Sequence, residues 1–142
     1  MTEAKQLIMS KVAVDTNVLL YFLDISLPDK RKIAAEILLK KPLFNSQSLS
    51  EVINVLQRRW KYPKKKVIDT VTNLLEVCEY VSLTETMVRR SLILVEKYDF
   101  QIFDSIIVAS ALEKGCSVLY SEDMQHELLV EKQLRILNPF FS

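Results

Sequence analysis

The chain is short of the residues that break structure and of those that bind soft metals. Its 142 residues include one glycine (Gly115), one histidine (His126), one tryptophan, two cysteines and four prolines. No low-complexity segment, long linker or internal repeat appears. One histidine and two distant cysteines, Cys78 and Cys116, leave no material for an ordinary zinc site. Both cysteines lie in apolar contexts and are expected as buried free thiols rather than a disulfide. Long hydrophobic runs are also missing. The longest, Val18 to Leu23, is bounded by Asp15 and Asp24 and is far too short to cross a bilayer. The first residues carry Glu3 and lack a basic-then-apolar leader pattern, so a cytoplasmic protein with no membrane role is expected. Nor is there a charge excess. The net charge of +1 does not announce a nucleic-acid partner, although local clusters still can. What remains is a chain with 49% apolar residues and the length of one domain with a full core.

Short apolar runs alternate with helical patterns, the signature of a parallel α/β sheet. The expected strands are Val12 to Val14, Leu43 to Asn45, Cys78 to Leu83, Val118 to Tyr120 and Arg135 to Leu137. Between them, Leu49, Val52, Ile53, Leu56 and Trp60 recur at helical spacing, as do Ile33, Ile37 and Leu38. Pro28 and Pro63 suit the first turns of helices over Asp29 to Lys40 and Lys64 to Leu75. Thr84 with Met87 starts a helix running to about Tyr98, and Lys114-Gly115 ends one that begins near Asp104. The predicted order is β-α-α-β-α-α-β-α-α-β-α-β, a mostly parallel five-stranded sheet flanked by helices, with one domain over 1–142 and its core at about 11–139.

Four acidic residues stand out by position. Asp15 ends the first strand, where burial of an unpaired carboxylate is costly and something should compensate it. Glu51 lies early in the helix after the second strand. Asp104 opens the run Ser105 to Leu112, and Asp123 follows the fourth strand. In a parallel sheet with helical crossovers all four positions fall on one edge of the domain, outside the carboxyl ends of the strands. Four carboxylates there repel one another unless a cation lies among them. Oxygen ligands suit Mg²⁺ or Mn²⁺ rather than zinc. Each residue also has a bland alternative. Ser48-x-x-Glu51 reads as a capping box, Asp104 as a helix cap and Asp123 as a turn residue.

These segments resemble the four acidic motifs of the PIN domain family. They are Val14-Asp15-Thr16-Asn17-Val18-Leu19, Ser48-Leu49-Ser50-Glu51-Val52, Phe103-Asp104-Ser105-Ile106 and Leu119-Tyr120-Ser121-Glu122-Asp123. Within that family the chain is most similar to VapC-like toxins of toxin–antitoxin pairs, from about Lys11 to Pro139. The resemblance implies a metal-dependent endoribonuclease whose acidic centre is Asp15, Glu51, Asp104 and Asp123. Asn17 and Ser121 would be supporting polar residues, and products would carry a 5′-phosphate and a 3′-hydroxyl. It also implies a homodimer held inactive by an antitoxin. One departure lies at Met124-Gln125-His126-Glu127, where family members often place a glycine near the end of the turn. His126 itself is expected to pack within its loop.

A single dense basic run follows Glu51: Arg58, Arg59, Lys61, Lys64, Lys65 and Lys66, interleaved with Trp60 and Tyr62. Aromatics among cations suit unpaired RNA. The competing reading is a solvated helix–helix turn with Trp60 packed inward. Lys30, Arg31 and Lys32 look like plain surface. Ile33, Ile37, Leu38, Ile68, Val71 and Leu74 offer apolar surface for an antitoxin helix or a second subunit, or else close the domain's own core. A dehalogenase-type phosphatase is disfavoured because Asn17 stands where its second Asp is needed. A receiver domain wants adjacent N-terminal acids and a lysine on the last strand. Two alternatives stay open: an RNA-processing nuclease without an antitoxin, and a non-catalytic scaffold that binds RNA or protein.

Overall fold

The computed structural model describes residues 10–141; Glu3 and the leader question lie outside them. Six strands form one sheet: β1 (Val12–Val14), β2 (Leu43–Asn45), β3 (Glu79–Val81), β4 (Val118–Tyr120), β5 (Leu129–Val130) and β6 (Leu134–Leu137). Their spatial order is β3-β2-β1-β4-β6-β5. All pairs are parallel except β5 with β6. The helices are α1 (Thr16–Leu23), α2 (Pro28–Leu38), α3 (Ser46–Asn54), α4 (Lys64–Val77), α5 (Glu85–Tyr98) and α6 (Ile102–Glu113). α3 continues into a π turn, Val55–Arg59.

Alternation along the strands sends successive side chains to opposite faces. Ala13, Leu43, Leu119 and Ile136 enter one apolar cluster with Leu94 of α5 and Val108 of α6. Val14 and Phe44 enter the other, with Val18 and Leu19 of α1, Ile37 of α2, Val52 of α3 and Leu74 of α4. The helices therefore cover both faces. The apolar positions named above mostly close this core: Ile37, Leu38 and Leu74 are buried, Ile33 and Val71 pack against them, and only Ile68 is well exposed, at 56%. Cys78 and Cys116 are both buried and free, as expected, and burial pushes each thiol up to about 11.

One expectation requires correction, and two of the bland alternatives fall. The sheet has six strands rather than five. The extra strand, β5, is two residues long and lies where a helix was expected before the last strand. Residues too few to show a period form it, and a tight turn makes the hairpin: Glu131 and Lys132 both adopt positive φ (52° and 57°), and Gln133 N–H donates to the Val130 carbonyl at 3.0 Å. These are the φ signs of a mirror-image hairpin turn, reached here without the usual Asn or Gly. The capping box is absent. Asn45, the last residue of β2, caps α3 by accepting from Ser48 N–H at 3.0 Å. Glu51 is thus left free of a capping duty. Nor does Asp104 cap α6; Gln101 precedes that helix, and Asp104 lies in its first turn.

Candidate metal centre and the groove beside it

From β1 the chain moves outward to β2 and β3, then crosses back to place β4 on the other side of β1. Strand order reverses between β1 and β4, and the crevice at their carboxyl ends is where open α/β sheets bind ligands. Val14 pairs with Tyr120. The ladder runs one step further, with Asp15 N–H donating to Tyr120 O at 2.9 Å and Ser121 N–H to Leu137 O at 3.0 Å. Register alone therefore sets Asp15 beside Ser121.

Asp15 is 4% exposed. It caps α1, accepting from Thr16 N–H at 2.7 Å, and its second oxygen accepts from the Ser121 hydroxyl at 2.8 Å. Burial nonetheless dominates and raises its pKa from 3.8 to about 6. The two hydrogen bonds oppose the shift, while Asp104 and Asp123 add to it. Asn17, one step into α1, donates its amide to Asp123 Oδ2 at 3.1 Å and to Asp15 Oδ2 at 3.5 Å. Its carbonyl accepts from Glu122 N–H at 3.3 Å. Asp123 N–H in turn donates to Ser121 Oγ at 3.2 Å. Asn17 and Ser121 thus tie the loop after β4 to the start of α1.

Glu51 and Asp104 approach from the other side. Gln47 of α3 donates to Glu51 Oε1 at 2.9 Å and to the Phe103 carbonyl at 3.2 Å, bridging α3 to the first turn of α6. Asp104 titrates high, chiefly through burial, then through Asp123 and Glu51. The four carboxylates therefore share one electrostatic field. Among the described residues no three acidic, histidine or cysteine side chains are already gathered around a single point. The donor set is all oxygen, from carboxylates, an amide and a hydroxyl, and it fits a hard divalent ion such as Mg²⁺ or Mn²⁺.

Several residues at the site carried no signal in the sequence. Lys30, taken for plain surface, forms an ion pair with Glu122 at 2.8 Å and donates to Tyr21 Oη at 3.0 Å. Tyr21 donates to the same carboxylate. Although burial alone would raise it, the Glu122 pKa is lowered by these two donors. Gln47 was equally silent. Only the register of α1 and α2 against the β4 loop, and of α3 against α6, could have revealed such contacts.

The basic run divides. Arg59 lines a cavity of about 320 Å³ together with Asn17, Tyr21, Trp60, Glu122 and Asp123. Lys65 stands 3.9 Å from Asp69 on its own helix, and Lys66 lies 3.9 Å from the Tyr62 ring centroid. Arg58, Lys61 and Lys64 are exposed, with Lys61 in the left-handed region at φ 56°. His126 packs within its loop, accepting from Asn138 N–H at 2.9 Å and stacking on Phe141. In that turn, which has no glycine, Glu127 adopts a left-handed φ of 71°.

A family model described as "PIN domain" matches residues 12–130. No curated protein matches the chain. Solved structures similar in fold include a toxin–antitoxin complex from Klebsiella pneumoniae, at 19% identity and TM-score 0.67, over 92% of this chain and 98% of that one. The VapC20 toxin of Mycobacterium tuberculosis, described as cleaving the sarcin–ricin loop, gives 16% identity and TM-score 0.62 over 77% of this chain and 87% of its own. VapBC2 from Rickettsia felis, bound to a promoter DNA fragment, gives 15% identity and TM-score 0.63 over 89% and 98%.

Proposed function

The chain belongs to the PIN domain family, and from that premise we propose that it is a divalent-metal-dependent endoribonuclease, the toxin of a cytoplasmic toxin–antitoxin pair. The observation that carries this reading is the shared field of Asp15, Glu51, Asp104 and Asp123 at the point where strand order reverses. Three solved structures of like fold, described as a toxin–antitoxin complex, a VapC20 toxin and VapBC2, support the reading.

Asp15, Asp104, Asp123 and Glu51 would hold one or two Mg²⁺ or Mn²⁺ ions. A bound divalent ion supplies Lewis acidity and makes hydroxide available near neutral pH. This chain's own residues do the positioning. Thr16 N–H and the Ser121 hydroxyl fix both oxygens of Asp15, so the carboxylate presents one orientation. The Asn17 amide keeps Asp123 in reach of Asp15. Gln47 holds Glu51 against the first turn of α6. In the hydrolysis, the oxygen of water bonds to phosphorus and the P–O3′ bond breaks. The products are a 5′-phosphate and a 3′-hydroxyl. Among the described residues the one histidine is engaged by Asn138 and Phe141, so a two-histidine route to a cyclic phosphate lacks its groups.

A cognate antitoxin and a homodimer are part of the same proposal. Exposed apolar side chains on α5 and α6, Leu92, Ile93, Ile102 and Phe103, support a protein partner near Asp104, with Phe103 68% exposed. The test is cleavage of total cellular RNA by purified, partner-free protein with Mg²⁺ or Mn²⁺ and with EDTA, beside Asp15→Asn. Discrete metal-dependent fragments that vanish in the variant are expected. Undiminished cleavage by the variant would sink the assignment. A folded protein that binds metal yet cuts no RNA would point to the scaffold alternative.

A further inference from the structure

Three concavities lie in a row around the acidic cluster. The central one, of about 320 Å³, is lined by Asn17, Glu122 and Asp123 together with Arg59 and Trp60. Trp60 and Asp24 also border a second cavity, of about 350 Å³, which ends at Tyr62. On the far side of Asp123 a third, of about 210 Å³, runs along Asp104 to Phe100. Two of the carboxylates, Asp104 and Asp123, thus border a trough rather than the bottom of a closed pocket. Beyond Asp123 the trough alternates cation and aromatic: Arg59, then Trp60, then Tyr62 with Lys66 over its ring at 3.9 Å. Trp60 and Tyr62 stand 5.6 Å apart between centroids and are tilted by 49°, splayed rather than stacked on each other.

We propose that this trough is the seat of unpaired nucleotides flanking the cleaved phosphodiester, with a base stacked on Trp60 and a neighbouring phosphate on Arg59. The proposal rests on the ribonuclease reading above. Stacking against an aromatic ring suits any exposed base, whereas a paired A-form helix hides its bases and does not fit concavities of this size. Arg59 makes no ion pair among the described residues and faces the same cavity as Asp123. A cation there offsets the repulsion between substrate phosphate and the acidic rim, and its planar fork grips phosphate well. The lining also argues against an apolar helix as occupant. Asp24, Glu122, Asp123 and Arg59 put both signs of charge into it, and an apolar face would bury Asp123 and Arg59 with no charge partner.

Trp60 is the chain's only tryptophan, so its emission reports on this trough alone. The experiment titrates the full chain, in EDTA to prevent cleavage, with single-stranded hexaadenylate and hexauridylate. A labelled-oligonucleotide anisotropy titration runs in parallel. Saturable quenching is expected, tighter for hexaadenylate, and absent when the same segments are held paired in a G·C-clamped hairpin. Arg59→Ala should weaken binding roughly ten-fold and flatten its salt dependence, and Trp60→Phe should weaken it roughly ten- to a hundred-fold. Asp15→Asn should quench like the wild type while failing to cut. Binding seen by anisotropy with unchanged tryptophan emission overturns the proposal. So does equal quenching by the paired hairpin, or quenching by an amphipathic helical peptide but not by RNA. The wild-type titration decides the matter even if Trp60→Phe does not fold. Quenching by single strands in a protein that never cleaves RNA with metal would keep the trough and remove the ribonuclease reading.

Discussion

Asp15→Asn should make the metal-free protein more stable while abolishing its cleavage. The wild-type carboxylate is held at a pKa of about 6 against 3.8 in the unfolded chain. Because the folded pKa is the higher one, the native state binds more protons between those values. The contribution of Asp15 to stability is therefore greatest below about pH 4 and falls as pH rises through 6. A gap of about two units corresponds to about 3 kcal/mol forfeited at pH 7.5. Asn cannot ionise, so the variant escapes that loss. It gives some back, because Ser121 must turn its hydroxyl to accept from the new amide while already accepting from Asp123 N–H; one weakened hydrogen bond costs about 1 kcal/mol. A net gain of about 1–3 kcal/mol remains at pH 7.5. For a domain of this size that is a rise in Tm of roughly 3–9 °C. The assay is thermal unfolding in EDTA at pH 4, 6 and 7.5. The advantage should grow with pH and disappear near pH 4. A variant less stable than wild type at pH 7.5, or a difference independent of pH, would refute the desolvation argument.

Other outcomes follow from the same geometry. Lys30→Ala should leave Glu122 with Tyr21 as its one side-chain donor and loosen the loop that carries Asp123. Cleavage should fall about five-fold and the metal concentration for half-activity should rise, while Lys30→Arg restores both. The stability cost should stay below about 1 kcal/mol because the pair is partly exposed. Lys132→Gly relieves a left-handed backbone at φ 57° and should stabilise the fold by about 1 kcal/mol, read as a shifted denaturant midpoint. The thiols of Cys78 and Cys116, pushed up to about 11 by burial, should stay unmodified by a thiol reagent at pH 8 until the chain is unfolded.

The strands at Val12–Val14, Leu43–Asn45 and Val118–Tyr120 were legible to the residue because each is an apolar run ended by a polar cap or turn. The β3 and β6 boundaries moved by one or two positions, as strand ends do when flanking residues are also apolar. β5 was invisible because two residues carry no alternation and its turn uses Glu and Lys where Asn and Gly would have signalled it. The acidic residues could be picked out because each follows a strand or starts a helix, and that placement is topology. Of their supports, Asn17 and Ser121 came only with the family resemblance, and Lys30, Tyr21 and Gln47 not at all. Ser121 meets Asp15 through the β1–β4 register, and Lys30 reaches Glu122 across 92 positions of sequence. The capping residue of α3 was misplaced by three because Asn45 serves as strand end and helix cap at once.

The π turn at Val55–Arg59 also acts as a phase shifter. Trp60 lies nine positions after Glu51, which in an unbroken α-helix is about 180°, on the opposite side of the rod. One extra residue in the turn, marked by Trp60 N–H donating to Val55 O at 2.9 Å, winds this back by about 100°. Glu51 and Trp60 thus come to share one half of the helix circumference, and a single element serves both the carboxylate cluster and the trough. Deleting Gln57 would restore the ordinary winding. Glu51 would keep its station, Trp60 would rotate away, and tryptophan emission would no longer follow an added oligonucleotide. The helix works as two segments whose relative dial setting is fixed by one inserted residue.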